Sequence, residues 1–143
     1  MPPTHVIVPL DGSPLAADAL AFALETFECR ITVLNVVTPL DTGMSEGGVL
    51  ERDRSRLVEA RERARELIDA AKRRSGTPDR AVEVAVESGD PAKTILEAVE
   101  SRDVDHVVMG GHGSSEIGLA SRLLGTVATR VVGEAPVTVT VVR

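Results

Sequence analysis

A glycine-rich segment in the last third of the chain has the composition of a phosphate-binding turn. Three of the four residues from 110 to 113 are glycine, and hydroxyl side chains follow at Ser114, Ser115 and Thr126. Successive glycines allow positive φ angles, which can turn consecutive backbone N–H groups toward one point and so form an anion nest. A helix predicted to follow adds its positive end and its unpaired amides. The natural ligand of such a segment is a chain of phosphates.

The same composition also suits a turn without any ligand, because glycine-rich connections between a strand and a helix occur wherever the chain turns sharply. On spacing alone, both interpretations stay open. The P-loop motif does not fit: residues 113–118 match its first part, but Leu119 and Ala120 stand where it needs lysine and serine or threonine. No G-x-G-x-x-G follows the first predicted strand. The sequence is therefore not that of a P-loop NTPase.

Two polar residues at predicted strand ends have both a chemical and a structural interpretation. Asp11 directly follows a buried strand, where its carboxylate could contact a ribose or a metal, or could cap the next helix, whose predicted N-cap is Ser13, or its turn. His112 could bond a phosphate or assist a proton transfer, or it could bond nearby backbone. Neither has an evident catalytic partner, so we assign no catalytic residue.

The other histidines and the single cysteine do not form a predicted metal site. His5 and His106 lie at the starts of their predicted strands, at the opposite end of the sheet from Asp11 and the glycines. Cys29 has no partner for an internal disulfide and is most simply a small buried apolar residue. The sequence alone identifies no metal ligand.

Length and composition restrict the class of protein. The chain has 143 residues, 43% of them hydrophobic and 27% charged, which predicts one compact domain over residues 1–143. Sixteen Lys and Arg against 22 Asp and Glu give a net charge of −6, and there are only two aromatic residues, so we expect no nucleic-acid partner. No apolar run approaches the ~20 residues of a membrane-spanning helix and no secretion signal is evident, so we expect a cytoplasmic protein without a membrane partner.

Hydrophobic periodicity and turn residues predict alternating strands and helices, and hence a doubly wound five-stranded parallel sheet with helices on both faces. In such folds the ligand crevice lies at the carboxyl ends of the strands, here strands one and four. The loop over Thr38–Gly48 is a candidate lid, and the arginines of the long helix that follows are interleaved with acidic residues as on a solvated surface. The predicted strands are His5–Leu10, Arg30–Val37, Arg80–Glu87, Asp105–Gly110 and Val137–Val142, and the predicted helices are Leu15–Phe27, Leu50–Arg74, Pro91–Ser101 and Gly118–Gly133.

Segments spread over nearly the whole chain follow the pattern of a known family in order and spacing. They are VIVPLDGS at 6–13, VLNVV at 33–37, GDP at 89–91, VVMGGHG at 107–113, GLASRLLGTVA at 118–128 and APVTV at 135–139. In these segments the chain resembles the universal stress protein (UspA) family. The resemblance implies an adenine nucleotide alpha hydrolase-like, Rossmann-like sheet with strand order 3-2-1-4-5.

The nucleotide-binding members of that family carry the motif G-x2-G-x9-G-[ST]. Its four fixed positions correspond here to Gly110, Gly113, Gly125 and Thr126. Eleven residues, Ser114 to Leu124, stand where the family has nine, and the surplus lies around residues 115 and 116. Glu116 brings a negative charge to this place, which would repel a triphosphate unless it points outward or helps to hold a divalent metal.

The resemblance implies that the chain binds ATP or another adenine nucleotide, with Mg²⁺ as a candidate metal. Apolar residues at strand ends such as Val36 and Met109 are, without the resemblance, more simply core residues. The nucleotide-binding residues that the resemblance implies are Pro9, Leu10, Asp11, Val36, Met109, Gly110, His112, Gly113, Ser114, Gly125, Thr126 and Val127.

The last predicted strand, Val137–Val142, is rich in valine and carries no charge, so as a sheet edge it is open to pairing with another chain. The resemblance likewise implies a homodimer through this strand. The function expected is that of a stress-response sensor or regulator that binds nucleotide. Two alternatives are a dimeric interaction module whose phosphate nest is closed by the two surplus residues, and a slow ATP hydrolase, which the scarcity of cationic and basic groups in the turn supports least.

Overall fold

A computed structural model of the chain describes residues 2–10, 14–39, 46–111 and 125–143. Strands and helices alternate along these residues, as predicted. The strands are β1 (His5–Leu10), β2 (Arg30–Val37), β3 (Glu83–Ser88), β4 (His106–Gly110) and β5 (Thr138–Val142), and the helices are α1 (Pro14–Thr26), α2 (Glu46–Ser75), α3 (Pro91–Ser101) and α4 (Thr126–Glu134).

The five strands form one parallel sheet in the order β3-β2-β1-β4-β5. This confirms the predicted fold class and strand order. We call the edge of the sheet where the strands end the carboxyl edge, and the edge where they begin the amino edge. The winding reverses between β1 and β4, so the carboxyl ends of these two strands flank the position where such folds hold ligands.

Alternate residues of the central strand supply two separate cores, one on each face of the sheet. Val6 and Val8 pack against α1 and α2, where Leu20 and Ile68 are buried with them. Ile7, between them, packs on the opposite face with residues of α3 and α4. This alternation follows from the period of two in a strand, and it explains why β1 reads as a continuous apolar run.

Several predicted boundaries differ from the structure, and for two of them the described backbone shows the reason. The third strand begins at Glu83 rather than Arg80, since the Arg80 amide still donates to the Thr77 carbonyl in the turn after α2. The last helix does not run continuously from Gly118, because Gly125 is extended, with φ −65° and ψ 164°, and α4 begins at Thr126. Residues 118–124 lie outside the described residues.

The loop Thr38–Gly48, predicted as a lid, is shorter in the structure, because α2 begins at Glu46 and includes its last residues. Residues 40–45 lie outside the described residues, so the lid stays a prediction. Within the described residues, no helix has the length and apolar character that crossing a bilayer requires.

Arg80 connects the start of the β3 segment to the end of α1. Its guanidinium donates to the carbonyls of Leu24 and Phe27, with Nη1 at 3.2 and 2.8 Å, and Nη2 lies 3.1 Å from the carbonyl of Cys29. The last carbonyls of a helix have no intrahelical partner, and a cation near them also interacts favourably with the helix dipole. Arg80 therefore terminates α1 through a contact that is distant in sequence.

Replacing Arg80 with methionine should lower the free energy of unfolding by about 2 kcal/mol, because three bonds from a charged donor are lost while most of the packing volume is kept. Urea unfolding followed by circular dichroism measures this change. The matched control is Arg63→Met on the exposed side of α2, where the only ion pair described, with Glu59, is 4.0 Å long, and the expected change is below roughly 0.5 kcal/mol. Equal effects of the two substitutions would contradict the role given to Arg80.

Candidate functional site

The sheet opens at its centre before the carboxyl edge is reached. β1 pairs with β2 over all six of its residues, whereas its paired residues with β4 are Val6 with His106 and Ile7 with Val107. On the other side, β4 pairs with β5 as far as Gly110 and Val142. The last three residues of β1 and of β4 are therefore not paired with each other.

Pro9 explains why the ladder ends there. The Gly111 amide donates to the Val142 carbonyl at 2.9 Å, so the odd-numbered residues of β4 direct their backbone groups toward β5 and the even-numbered ones toward β1. The matching groups of β1 belong to His5, Ile7 and residue 9. Proline has no N–H, so the bond that should follow Ile7 cannot form. A missing donor thus ends the β1–β4 pairing at the position expected for a ligand.

A backbone hydrogen bond brings the two halves of the glycine motif together. The Gly125 amide donates to the carbonyl of Gly111, although residues 112–124 separate them in the chain. The start of α4 is thereby held against the end of β4, beside Gly110. Two of the four motif positions, Gly125 and Thr126, consequently lie near a third, Gly110, which precedes Gly111 in the chain.

The first turn of α4 presents amides that no side chain of the cap satisfies. Gly125 is the N-cap and makes no side-chain bond to the helix, and Thr126 is exposed. The first amides of a helix lack intrahelical acceptors and lie at its positive end. Such an end, placed at the carboxyl edge of a parallel sheet, is suited to a phosphate group.

Three of the apolar residues predicted to border a nucleoside share one face of the sheet. Met109 is buried, 5% exposed, in the core beneath α3 and α4, and Val36 and Val127 are half-buried against the same core. Leu10 is buried in the other core, beneath α1 and α2, and half-buried Pro9 ends the β1–β4 ladder. Met109 and Leu10 are therefore core residues, as their residue types indicate. Val36, Met109 and Val127 all lie on the same face of the sheet.

Gly110 has a packing role that is independent of any ligand. A Cβ at this position would lie 2.8 Å from the Leu15 Cβ and 3.0 Å from the Leu15 carbonyl carbon. Only glycine allows α1 to approach the end of β4 this closely. The structure thus gives Gly110 a packing role, which differs from the sharp turn considered in the sequence analysis.

The remaining predicted site residues lie outside the described residues. They are Asp11, His112, Gly113 and Ser114, together with Glu116 and the surplus pair beside it. Their roles stay predictions. Within the described ranges, no group of three His, Cys, Asp or Glu side chains is arranged to hold a metal ion.

The histidines of the described residues lie at the amino edge, as predicted. His5 is buried, with Nε2 2.7 Å from Thr32 Oγ1 and Nδ1 2.9 Å from the Arg102 carbonyl. His106 Nε2 lies 2.8 Å from Thr140 Oγ1, and burial lowers the pKa of this imidazole, although Asp105 opposes the shift. The two histidines therefore connect β1 with β2 and β4 with β5. Burial raises the pKa of the half-buried Cys29 thiol, which disfavours a reactive thiolate.

Sequence reasoning missed one cation at the carboxyl edge. Arg143 follows β5, and its Cγ lies 3.5 Å from the position that a Cβ on Gly111 would take. The available signal was the strand order, which places the residue after β5 beside the residue after β4.

The sequence matches the model of the Universal stress protein family over residues 3–143. The chain belongs to this family.

Solved structures of the family have the same fold. The universal stress protein UspA from Lactobacillus plantarum superposes with a TM-score of 0.75 at 23% identity, covering 100% of this chain and 99% of that one. A family protein from Arabidopsis thaliana with AMP bound gives 0.64 at 21% identity, covering 98% and 91%. The universal stress protein from Archaeoglobus fulgidus in complex with dAMP gives 0.59 at 19% identity, covering 100% and 98%.

Replacing Gly110 with alanine should lower the free energy of unfolding by about 1–3 kcal/mol, because the new Cβ meets the backbone of α1 rather than a flexible side-chain end. Thermal and urea unfolding measure the change. Gly133→Ala is the matched control: no atom lies within 4 Å of its added Cβ, and alanine is the better helix former, so its stability should stay equal or rise. If Gly110→Ala unfolds like the wild type, the close approach of α1 is not a constraint.

Proposed function

We propose that this protein is a cytoplasmic universal stress protein, a single domain over its whole length, that binds an adenine nucleotide at the carboxyl ends of β1 and β4. It acts as a homodimeric sensor or regulator in a stress response rather than as a catalyst. The proposed physiological ligand is ATP with Mg²⁺. The bond from the Gly125 amide to the Gly111 carbonyl is the observation that carries the proposal, because it assembles the separated parts of the glycine motif beside the open end of the sheet.

The phosphate end of the proposed site is formed by α4. Its first-turn amides and the Thr126 hydroxyl bind phosphate oxygens, and the amides lie at the positive end of the helix dipole. Gly113 and Ser114, which belong to the same motif, complete this end. Since Mg²⁺ is usually held by phosphates and one or two carboxylates, Asp11 is the carboxylate proposed to contact it or the ribose.

The nucleoside end of the proposed site is apolar. The chain has two aromatic residues, Phe22 and Phe27, and both belong to or follow α1. The adenine ring is therefore held between aliphatic and thioether side chains, of which Val36, Met109 and Val127 share the α3 and α4 face. Neighbouring structures that contain AMP and dAMP support an adenine nucleotide as the ligand class.

Isothermal titration of the wild-type protein with ATP and Mg²⁺ tests nucleotide binding directly. The diagnostic variant is Thr126→Glu at the first position of α4. A carboxylate there should stabilise the helix by roughly 0.3–1 kcal/mol, while its repulsion of the phosphates should weaken ATP binding by about ten-fold or more. Lost affinity combined with unchanged or higher stability separates a site effect from a folding defect.

Thr126→Gln is the matched control for that experiment, because it has nearly the shape of glutamate without the charge. Its affinity for ATP should stay closer to the wild-type value than that of Thr126→Glu. Equal affinities of the two variants would place the phosphates away from α4. If the wild type itself gives no heat at millimolar nucleotide, the nucleotide proposal is wrong, and the dimeric interaction module becomes the better description.

The proposed dimer forms through β5. The Val142 carbonyl accepts from β4, so the even-numbered residues of β5 direct their backbone groups inward, and Val139 and Val141 direct theirs to the open edge. No charged residue lies within Thr138–Val142. An uncharged edge with free donors and acceptors can pair with a second copy of itself about a two-fold axis.

Val139→Pro should convert the proposed dimer to a monomer, because it removes an N–H that faces the open edge while the bonds from β5 to β4 are kept. Sedimentation velocity measures the mass, and circular dichroism checks that the fold is retained. Thr140→Pro serves as the contrast, since its N–H faces β4 and its loss should destabilise the sheet itself. A folded Val139→Pro protein that remains dimeric would place the interface elsewhere.

A further inference from the structure

A groove of about 590 Å³ lies between α2 and the outer side of β3. We call it the outer groove; its lining comes from α2 between Arg61 and Lys72 and from residues 82–84. Because residues 82–84 include the start of β3, the groove lies toward the amino edge of the sheet. It is therefore separate from the proposed nucleotide site, which lies at the carboxyl edge.

The floor of the outer groove is apolar. Ile68 is buried, and Val82 and Val84 are half-buried against the core beneath α1 and α2. Val58 precedes Arg61 by three residues, so it lies on the same side of α2, and it is 59% exposed. An apolar floor beside an exposed valine favours a ligand that carries apolar groups as well as charges.

Three cations of α2 line the outer groove, namely Arg61, Arg65 and Lys72. In the part of the chain that the structure describes, none of the three belongs to an ion pair. Arg61 donates through Nη1 to the Val84 carbonyl at 3.4 Å, which leaves its other N–H groups for a ligand. These side chains therefore have donors and positive charge to offer.

The carboxylates of the outer groove do not compensate these cations. Glu83 already accepts two bonds from Arg30, whose Nε and Nη2 lie 2.7 and 2.8 Å from its oxygens. Asp69 is the other carboxylate of the lining. The groove thus presents three cations against one carboxylate that is not already paired, in a chain whose net charge is −6. This local positive charge favours an anionic ligand.

The spacing of the cations favours a ligand that is extended. At about 1.5 Å of rise per helical residue, Arg65 lies about 6 Å and Lys72 about 16 Å along α2 from Arg61. Side chains on one face of an extended peptide recur at about 6.7 Å, so two carboxylates at alternate positions match the two arginines. A single phosphate or carboxylate group is too small to reach all three cations.

We propose that the outer groove binds an extended acidic segment of a partner protein. Carboxylates of the segment contact Arg61 and Arg65, and the side chains between them lie against the apolar floor. Recognition uses side chains rather than an added strand, because Arg61 already bonds the Val84 carbonyl and charged side chains discourage pairing at an edge. Since β3 and β5 are at opposite edges of the sheet, a dimer through β5 leaves the groove accessible.

Fluorescence anisotropy of a fluorescein-labelled, seven-residue peptide in which glutamate alternates with valine tests the proposal. The same peptide with glutamine in place of glutamate is the uncharged comparison. The wild type should bind the glutamate peptide about ten-fold more tightly than the glutamine peptide, and added salt should reduce this difference. The double variant Arg61→Gln and Arg65→Gln should bind the glutamate peptide about five- to ten-fold more weakly than the wild type.

Asp69→Asn should have the opposite effect. It removes the unpaired carboxylate of the groove, so the glutamate peptide should bind about two- to three-fold more tightly. A groove residue with a purely structural role would give no such gain.

The matched control is the double variant Arg63→Gln and Arg73→Gln, which makes the same change in net charge at exposed positions of α2 outside the lining. Its affinity for the glutamate peptide should stay within roughly two-fold of the wild-type value. Circular dichroism and thermal unfolding check the fold of every variant. If loss of the Arg61 bond unfolds the groove variant, Arg65→Gln alone serves instead and should weaken binding about two- to three-fold.

The inference is wrong if the wild type binds neither peptide at millimolar concentration, binds both equally, or loses as much affinity in the control as in the groove variant. Displacement of the glutamate peptide by an equal concentration of inorganic phosphate would also overturn it, because the ligand would then be a free anion. Self-association that sedimentation velocity shows to depend on Arg61 and Arg65 would assign the groove to a second copy of the chain instead. Titration with ATP and Mg²⁺ is independent of these results, so the proposed function and this inference succeed or fail separately.

Discussion

The early end of the β1–β4 pairing, after Ile7 and Val107, is the constraint that determines the structure of the carboxyl edge. A parallel sheet normally binds its strands together along their length, and here the bond after Ile7 cannot form because residue 9 is proline. The β1–β4 pairing ends where the winding of the sheet reverses. One missing donor thus interrupts the sheet at the position where such folds hold ligands. The apolar side chains at these strand ends are held in place by the two cores.

The described glycines at this edge act through packing and backbone bonds, because Gly110, Gly111 and Gly125 do not have the positive φ angles expected of an anion nest. Gly110 is required by the close approach of α1, and Gly111 offers its two backbone groups to β5 and α4 at once. A purely structural interpretation therefore explains Gly110 fully. It does not explain why the start of α4, capped by a glycine without a side-chain bond, is held beside the opening. The ligand hypothesis gains its support from this second feature, since a helix end of that kind leaves amides for another partner.

The two edge strands of the sheet differ in whether charged side chains lie along them. On β3, Arg61 donates to the Val84 carbonyl at 3.4 Å, and Arg30 forms a two-bonded pair with Glu83 at 2.7 and 2.8 Å. Charged side chains at an edge discourage pairing with another chain. β5 contains only valine and threonine. The proposed self-association is therefore assigned to β5 rather than to β3.

The sequence by itself determined the order and type of the elements, because periodicity and turn residues are local properties. β1, β2 and α3 have the predicted bounds, and the resemblance supplied the strand order that the structure confirms. Of the predicted site residues, the structure places Gly125 and Thr126 near Gly110. The roles of Asp11, His112, Gly113 and Ser114 remain predictions. Only the tertiary structure decided that α4 starts at Thr126, that Gly110 receives α1, that Arg80 ends α1, and that Arg143 lies across Gly111. Each of these depends on atoms far apart in the chain, and no local pattern of residue types records which distant backbone will come within bonding distance.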